Sequence, residues 1–358
     1  MTIQALIMAG GTGGHVFPAL AVATAMQKHD VDIAWIGTAK GIEAKLVPEA
    51  GHPLHFIHVQ GLRGNGLLGW LLAPFRLAKA VFEALRVIQR VQPDVVLGLG
   101  GFASGPGGFA AWLLRKPLVI HEQNAIPGLT NRLLSKFAQR VLEGFDNSFV
   151  NINDAQWVGN PVRASIETLS PPEQRFEGRT SPIRLLVLGG SLGARALNEV
   201  VPNAIALIEK HAIEIKHQCG ERHLVDCKAN YQQAGIDAEI TSFIDDMATV
   251  YAWADLVICR AGALTVAELS AVGVGSLLVP FPYAVDDHQT HNAAALVDAG
   301  AAYLMSESTL TAEIMADKIK QCISDRTHLK NMAIAARTQA KVGTADHISS
   351  ICLELARG

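Results

Sequence analysis

The pattern that most narrows the possible folds of this chain occurs twice. Near the start, an apolar run from Ile3 to Met8 leads into Gly10-Gly11-Thr12-Gly13-Gly14-His15 and then a helical pattern from Pro18 to Gln27. Arg184 to Leu188 leads in the same way into Gly189-Gly190-Ser191-Leu192-Gly193 and a helix from Ala194 to Glu209. Strand, glycine loop and helix make a phosphate-binding arrangement, because glycines admit close backbone approach and a helix N-terminus favours negative charge. Domains run to ~100 to 200 residues, so two such starts in 358 residues predict two similar α/β domains. They would be Rossmann-like parallel-sheet domains facing each other across a cleft. A hydrophobic content of 49% is enough for two cores.

Several function classes lose support. The first glycine loop lacks the G-x-G-x-x-G spacing, and the strand Ile33 to Ile36 ends in Gly37 without an acidic residue to hold an adenosine ribose, which argues against a plain dinucleotide enzyme. The net charge of -3 argues against wholesale nucleic-acid binding. The charge is uneven, however: residues 1–160 hold 13 basic against 10 acidic side chains, and the remainder 17 against 23. The first half is therefore the one expected to face an anionic partner. Five cysteines with no CxxC pair read as reduced residues rather than a disulfide or zinc framework. Ile3 to Met8 is too short for a signal-peptide core, and no apolar run approaches the ~20 residues of a spanning helix, so a soluble or peripheral protein is expected.

Within the first half, Gly61 to Gly66 reads as a mobile basic loop, followed by Leu67, Leu68, Trp70, Leu71, Leu72 and Phe75. Pro74 opens a helix on which Arg76, Lys79, Glu83, Arg86 and Arg90 recur at three- and four-residue steps and share one face. A tryptophan-bearing apolar patch beside a basic stripe suits a peripheral membrane site; an ordinary amphipathic helix explains it equally well. Val95 to Leu99 leads to a second glycine loop, Gly100 to Gly105, which in a parallel sheet shares an edge with the loop at Gly10. After the strand Pro117 to Ile120 come His121, Glu122, Gln123 and Asn124, badly placed for a core and well placed for a site. His15 is either a general base or a helix-start histidine.

Gly159-Asn160-Pro161-Val162-Arg163 carries the turn chemistry of a domain crossing, and Ser170 to Pro182 reads as a surface linker. In the second half, Asp245 or Asp246 reads as a helix N-cap. Leu256 to Cys259 is a short buried strand, Arg260 to Gly262 a turn, and Ala263 to Glu268 a helix start with Thr265 in its first turn. Glu268 can accept two hydrogen bonds from a diol such as a ribose, or can be a solvated helix carboxylate. Asp286-Asp287-His288-Gln289 opens a further helix, and Thr311 onward is helical by pattern.

Taken in order, Gly10 to Pro18, Pro93 to Pro106, His121 to Arg132, Gly159 to Arg163, Gly189 to Asn198, Phe243 to Met247 and Cys259 to Glu268 resemble the motifs of the MurG family. These bacterial glycosyltransferases add N-acetylglucosamine to the undecaprenyl-linked muramyl-pentapeptide precursor of peptidoglycan. The resemblance spans essentially the whole chain. It implies a GT-B fold, with an acceptor- and membrane-binding domain over residues 1–160 and a UDP-N-acetylglucosamine domain over residues 161–358, the last helix packing back on the first domain.

The resemblance also implies an inverting transfer without cofactor or metal, at the cytoplasmic side of the inner membrane, in a pathway that serves cell shape and division. Ile244 would meet the uracil, Glu268 the ribose, and Ser191 with Ala263, Leu264, Thr265, Val266 and Ala267 the diphosphate. Thr12, Gly13, Gly14, Asn124, Arg163 and Gln289 would complete the donor site, and His15 would be the base. Implied partners are UDP-N-acetylglucosamine, undecaprenyl-linked MurNAc-pentapeptide, anionic inner-leaflet lipid and other cell-wall synthesis proteins, with no nucleic acid. Leu192 and His288 stand where the family commonly has glutamine. The alternatives are a UDP-N-acetylglucosamine 2-epimerase on the same fold and a non-catalytic nucleotide-sugar-sensing scaffold.

Overall fold

The computed structural model describes residues 2–59, 66–150, 152, 154–208 and 213–358, without the side chains of residues 66–71 and 285. The loop expected at Gly61 to Gly66 lies outside the described residues except for Gly66, and the side chains of Leu67, Leu68, Trp70 and Leu71 also lie outside them. The chain divides into two compact units, residues 1–163 with 343–358, and residues 164–342.

The first unit is built on strands β1 (Gln4–Met8), β2 (Asp32–Gly37), β3 (Leu54–Phe56), β4 (Val95–Gly98), β5 (Leu118–Glu122), β6 (Arg140–Glu143) and β7 (Ala155–Trp157). They form one sheet in the order β3-β2-β1-β4-β5-β6-β7, every pairing parallel. The second unit holds β8 (Ile183–Leu188), β9 (Ile213–Gln218), β10 (Glu239–Thr241), β11 (Leu256–Cys259), β12 (Gly275–Leu278) and β13 (Ala302–Leu304). Its order is β10-β9-β8-β11-β12-β13, again parallel throughout.

Parallel strands are covered by helices on both faces and so read as continuous apolar runs. Ala5 to Ala9 and Leu185 to Leu188 are buried accordingly. Alternate residues of β1 feed different cores: Ala5 and Ile7 pack with Val22 and Met26, and Leu6 and Met8 with Ala84 and Ile88. Helix Thr344–Arg357 adds Ile348, Ile351, Cys352 and Leu353 to the first of these, and Thr344 Oγ1 donates to Val158 O at 2.9 Å.

Ser170 to Pro182 is not the surface linker its composition suggests. Arg175 is buried and donates to the carbonyls of Ser170, Tyr251, Val272 and Gly273. Arg179 binds Asp255 Oδ1 at 2.6 Å. These guanidinium bonds tie the segment onto the second unit, because buried carbonyls at a helix end need donors. All five cysteines are buried and free.

Two buried histidines make stability depend on pH. His121 Nε2 donates to Gly159 O at 2.8 Å and its Nδ1 accepts from Gln123 Nε2; burial lowers its pKa to about 4. His217 Nε2 donates to Asn198 Oδ1 and Nδ1 accepts from the Tyr231 hydroxyl; burial lowers its pKa to about 3. Below the usual 6.5 the unfolded chain takes up a proton that each folded imidazole refuses until its own lowered pKa. Stability present above pH 6.5 is therefore lost as the pH falls, by about 1.4 kcal/mol per pH unit for each histidine. Urea unfolding at pH 7 and pH 5 should show this slope in the wild type and a shallower one in His217→Gln. Identical slopes would reject the assignment.

Candidate functional site

In an open parallel sheet, ligands bind beyond the carboxyl ends of the strands where the strand order reverses. In the first unit that point lies between β1 and β4. The loop after β1 carries Thr12, Gly13, Gly14 and His15, and the loop after β4 carries Gly100 and Gly101. The two loops touch: a Cβ on Gly101 would overlap the Gly10 backbone, and one on Gly100 would fall 2.8 Å from His15 Cδ2. Ser104 Oγ bridges them, contacting Met8 O at 2.8 Å and Gly100 O at 2.6 Å. His15 Nδ1 lies 3.3 Å from Thr12 Oγ1, at the start of helix Gly13–Gln27, whose N-terminus has no side-chain cap. The Arg163 guanidinium lies 5.6 Å from the centroid of the Phe17 ring, in the same helix.

The polar segment at the end of β5 is interior, contrary to the expectation that it is badly placed for a core. His121, Glu122 and Gln123 are buried. Glu122 accepts four hydrogen bonds, from Asn124 N and Nδ2, Gly128 N and Asn131 Nδ2. His121 reaches Gly159 O, and Asn160 Nδ2 reaches Gln123 O at 3.0 Å. This network fixes the stretch leading to Arg163 and orients Asn124, which is half-buried. Pairing makes a buried polar cluster tolerable, although Gln123 Oε1, Asn131 Oδ1 and Asn160 Oδ1 are buried without a hydrogen-bond partner among the described residues.

In the second unit the strand order reverses between β8 and β11. The loop after β8 holds Ser191 and Leu192, both exposed, ahead of helix Arg195–Ala206. The loop after β11 leads through Gly262 into helix Ala263–Val272. Neither helix has a side-chain cap, so its first N–H groups are open to an anion. Ala263, Leu264, Thr265, Val266 and Ala267 form the first turns of the latter helix. Glu268, one turn on, is 6% exposed, and its Oε2 accepts from the Tyr251 hydroxyl at 3.1 Å. It is therefore not a solvated helix carboxylate.

Ile244 follows β10 at the same edge of the sheet, beside exposed Phe243. Asp246 caps helix Met247–Trp253 by accepting from Thr249 N. Gln289 follows β12, its Oε1 accepting from Phe281 N at 2.8 Å. Arg260 pairs with Glu307 at 2.5 Å and donates to the carbonyls of Val279 and Pro280, fixing the loops on either side.

Two further residues escape a reading by sequence. Gly11 N, at φ +89°, donates to Glu43 Oε2 at 2.8 Å. Gly190 N, at φ +79°, donates to Gln218 Oε1 at 3.0 Å. Each glycine loop is thus pinned from behind by a buried side chain. The one available signal is a polar residue in a setting of strand ends and glycines.

Residues 5–143 match the glycosyltransferase family 28 N-terminal domain, and residues 184–348 match the glycosyltransferase family 28 C-terminal domain. A protein of Nitrosococcus oceani is 55% identical over the whole of both chains; it is named UDP-N-acetylglucosamine--N-acetylmuramyl-(pentapeptide) pyrophosphoryl-undecaprenol N-acetylglucosamine transferase. The chain belongs to the MurG family. The crystal structure of MurG from Acinetobacter baumannii matches it with a TM-score of 0.85 at 40% identity, covering 98% of this chain and 99% of that one. The fold is therefore the GT-B class, two Rossmann-like parallel-sheet domains. A Neisseria meningitidis UDP-GlcNAc 2-epimerase shares that fold alone, with a TM-score of 0.67 at 13% identity. MurG membership bears out the resemblance read from the seven ordered motifs.

Proposed function

We propose that the chain transfers N-acetylglucosamine from UDP-N-acetylglucosamine to the 4-hydroxyl of MurNAc in undecaprenyl-pyrophosphoryl-MurNAc-pentapeptide, with inversion and without a metal. The observation that carries this reading is the 55% identity, over the full length of both chains, to a protein named for that transfer. Residues 1–163 and 343–358 take the acceptor; the second unit takes most of the donor. The bond from the sugar's C1 to the diphosphate oxygen breaks with its electron pair leaving on UDP. The acceptor oxygen bonds C1 from the opposite face, and its proton passes to His15. Donation by His15 Nδ1 to the Thr12 hydroxyl oxygen, 3.3 Å away, would put the lone pair on Nε2, the form a base needs.

Charge developing on the leaving diphosphate meets Ser191 and the uncapped helix turn at Ala263 to Ala267, and one preorganised donor of this kind is worth about 3 kcal/mol in the transition state. Glu268 holds the ribose and Ile244 the uracil; Thr12, Gly13, Gly14, Asn124, Arg163 and Gln289 complete donor recognition. The deciding experiment follows UDP release with and without a lipid-diphosphate-linked muramyl-pentapeptide, in the presence of chelator. Release that requires acceptor and survives chelation is expected. Donor turnover without acceptor would favour epimerase chemistry, and binding without turnover a scaffold.

We further propose that the first unit rests on the anionic inner leaflet. No helix among the described residues is long and apolar enough to cross a membrane. On helix Gly66–Val91, Leu72, Phe75 and Phe82 are exposed beside exposed Arg76, Lys79, Arg86 and Arg90. Glu83 stays on this stripe, 3.9 Å from Lys79 Nζ, and also reaches His58 Nδ1 at 3.0 Å. The neighbouring helix Ser104–Leu113 adds exposed Trp112 and Leu113. Burying an aromatic side chain contributes ~1.5 to 3 kcal/mol, and each basic residue near an anionic surface about 1 kcal/mol. The double variant Phe75→Ser, Phe82→Ser should bind anionic vesicles at least tenfold more weakly yet turn over a soluble short-chain acceptor normally. Unchanged vesicle binding rejects the patch.

A further inference from the structure

Glu43 is a carboxylate with no exposed surface, at the start of the short helix Glu43–Glu49. Removing such a group from water is costly unless hydrogen bonds replace those it loses. Its Oε2 accepts from Gly11 N at 2.8 Å, and its Oε1 accepts from Thr38 N at 2.9 Å and Thr38 Oγ1 at 2.8 Å. The backbone around it is kept bare. A Cβ on Gly10 would lie 2.5 Å from Oε1, one on Gly37 would lie 2.7 Å from Cγ, and one on Gly41 would overlap the carboxylate. Three glycines, one from the loop after β1, one at the end of β2 and one from the connection after it, thus leave room for this one side chain.

The second unit shows what the same task needs when the surroundings differ. Behind its glycine loop, Gln218 accepts from Gly190 N and donates through Nε2 to Gly190 O and Ser242 O. Its amide meets both a donor and acceptors. Around Glu43 each carboxylate oxygen faces a backbone N–H, that of Gly11 or that of Thr38, so an amide there would turn its NH₂ against one of the two in either orientation. The site is built for a carboxylate.

We propose that Glu43 is a positioning residue for the transfer: its carboxylate holds Gly11, and through it the Gly10–His15 loop, in the geometry that presents the loop to the acceptor diphosphate and aims His15. The proposal rests on the functional reading above. Glu43 touches no substrate; it acts through Gly11. With the link to Gly11 broken, the loop is free to leave the left-handed turn at that residue. The acceptor then meets a site that must be ordered on binding, and His15 loses its aim. The donor, held mostly by the second unit and touched by this loop only through Thr12, Gly13 and Gly14, should lose far less than the acceptor.

The test is Glu43→Gln in the full chain, with UDP-N-acetylglucosamine affinity, acceptor KM, kcat and thermal midpoint measured together on a soluble short-chain acceptor. A rise in acceptor KM or a fall in kcat of at least tenfold, with a loss of donor affinity at least threefold smaller than that effect, is expected. Wild-type kinetics in the variant, or donor and acceptor terms falling together with the folded fraction, would overturn it. If Glu43→Gln does not fold, Thr38→Val decides: it removes one of the three bonds, and acceptor KM should rise twofold or more with a smaller change in donor affinity, while no change in acceptor KM would count against the proposal. Failure of the wild type to use the acceptor at all would instead sink the functional reading.

Discussion

Replacing His15 with alanine should reduce transfer by ~10²- to 10⁴-fold, the usual contribution of a positioned general base, while UDP-N-acetylglucosamine still binds. The expectation follows from the place of the imidazole. It lies at the mouth of an uncapped helix, 3.3 Å from the Thr12 hydroxyl and packed on Gly100. Loss of the ring removes no core contact of consequence, because the side chain is only half-buried. A fall in rate therefore reports chemistry rather than unfolding. A loss below tenfold would assign the base elsewhere.

Glu268→Gln should weaken UDP-N-acetylglucosamine binding by about 10- to 100-fold, because hydrogen bonds to a charged group contribute about 1.5 to 3 kcal/mol. Tyr251 holds one carboxylate oxygen at 3.1 Å, so the side chain waits in a set orientation rather than being ordered by the ligand. The variant should also lose discrimination against a donor whose ribose lacks its 2′-hydroxyl. Titration calorimetry with both donors measures the two effects. An affinity within twofold of wild type would remove Glu268 from the ribose site.

Much of the fold was legible because parallel strands announce themselves. The runs at Ile3 to Met8, Arg184 to Leu188 and Leu256 to Cys259 are apolar on both faces, and glycines mark where the chain turns toward a ligand. The motifs around His15 and Glu268 were readable for the same reason: the helix begins directly after the turn, so position along the chain gives position in the sheet edge. What stayed hidden depends on pairing between distant residues. Glu43 is 32 residues from Gly11, and Gln218 is 28 from Gly190. Locally each is only a polar residue near a strand end and glycines, a setting many residues share. His121 to Asn124 misled in the other direction, since four polar residues in a row suggest solvent unless the partners of the first three at Gly159, Asn160 and Asn131 are known. Arg175 was masked by the prolines and glutamates around it, although its bonds to Val272 and Gly273 hold the end of the helix that carries Glu268.

Residues 343–358 belong with the first unit, and this has a bearing on how the protein is made. A ribosome delivers the chain in order, so all of residues 164–342, the whole second unit, emerges as one continuous stretch. The first unit emerges earlier but lacks Ile348, Ile351, Cys352 and Leu353, which close one of its two cores. Until they arrive, Val22, Met26 and Val95 lack part of their cover. The half that starts first in synthesis is thus the one completed last, and the half proposed to hold the nucleotide sugar can be ready before the half proposed to take the acceptor.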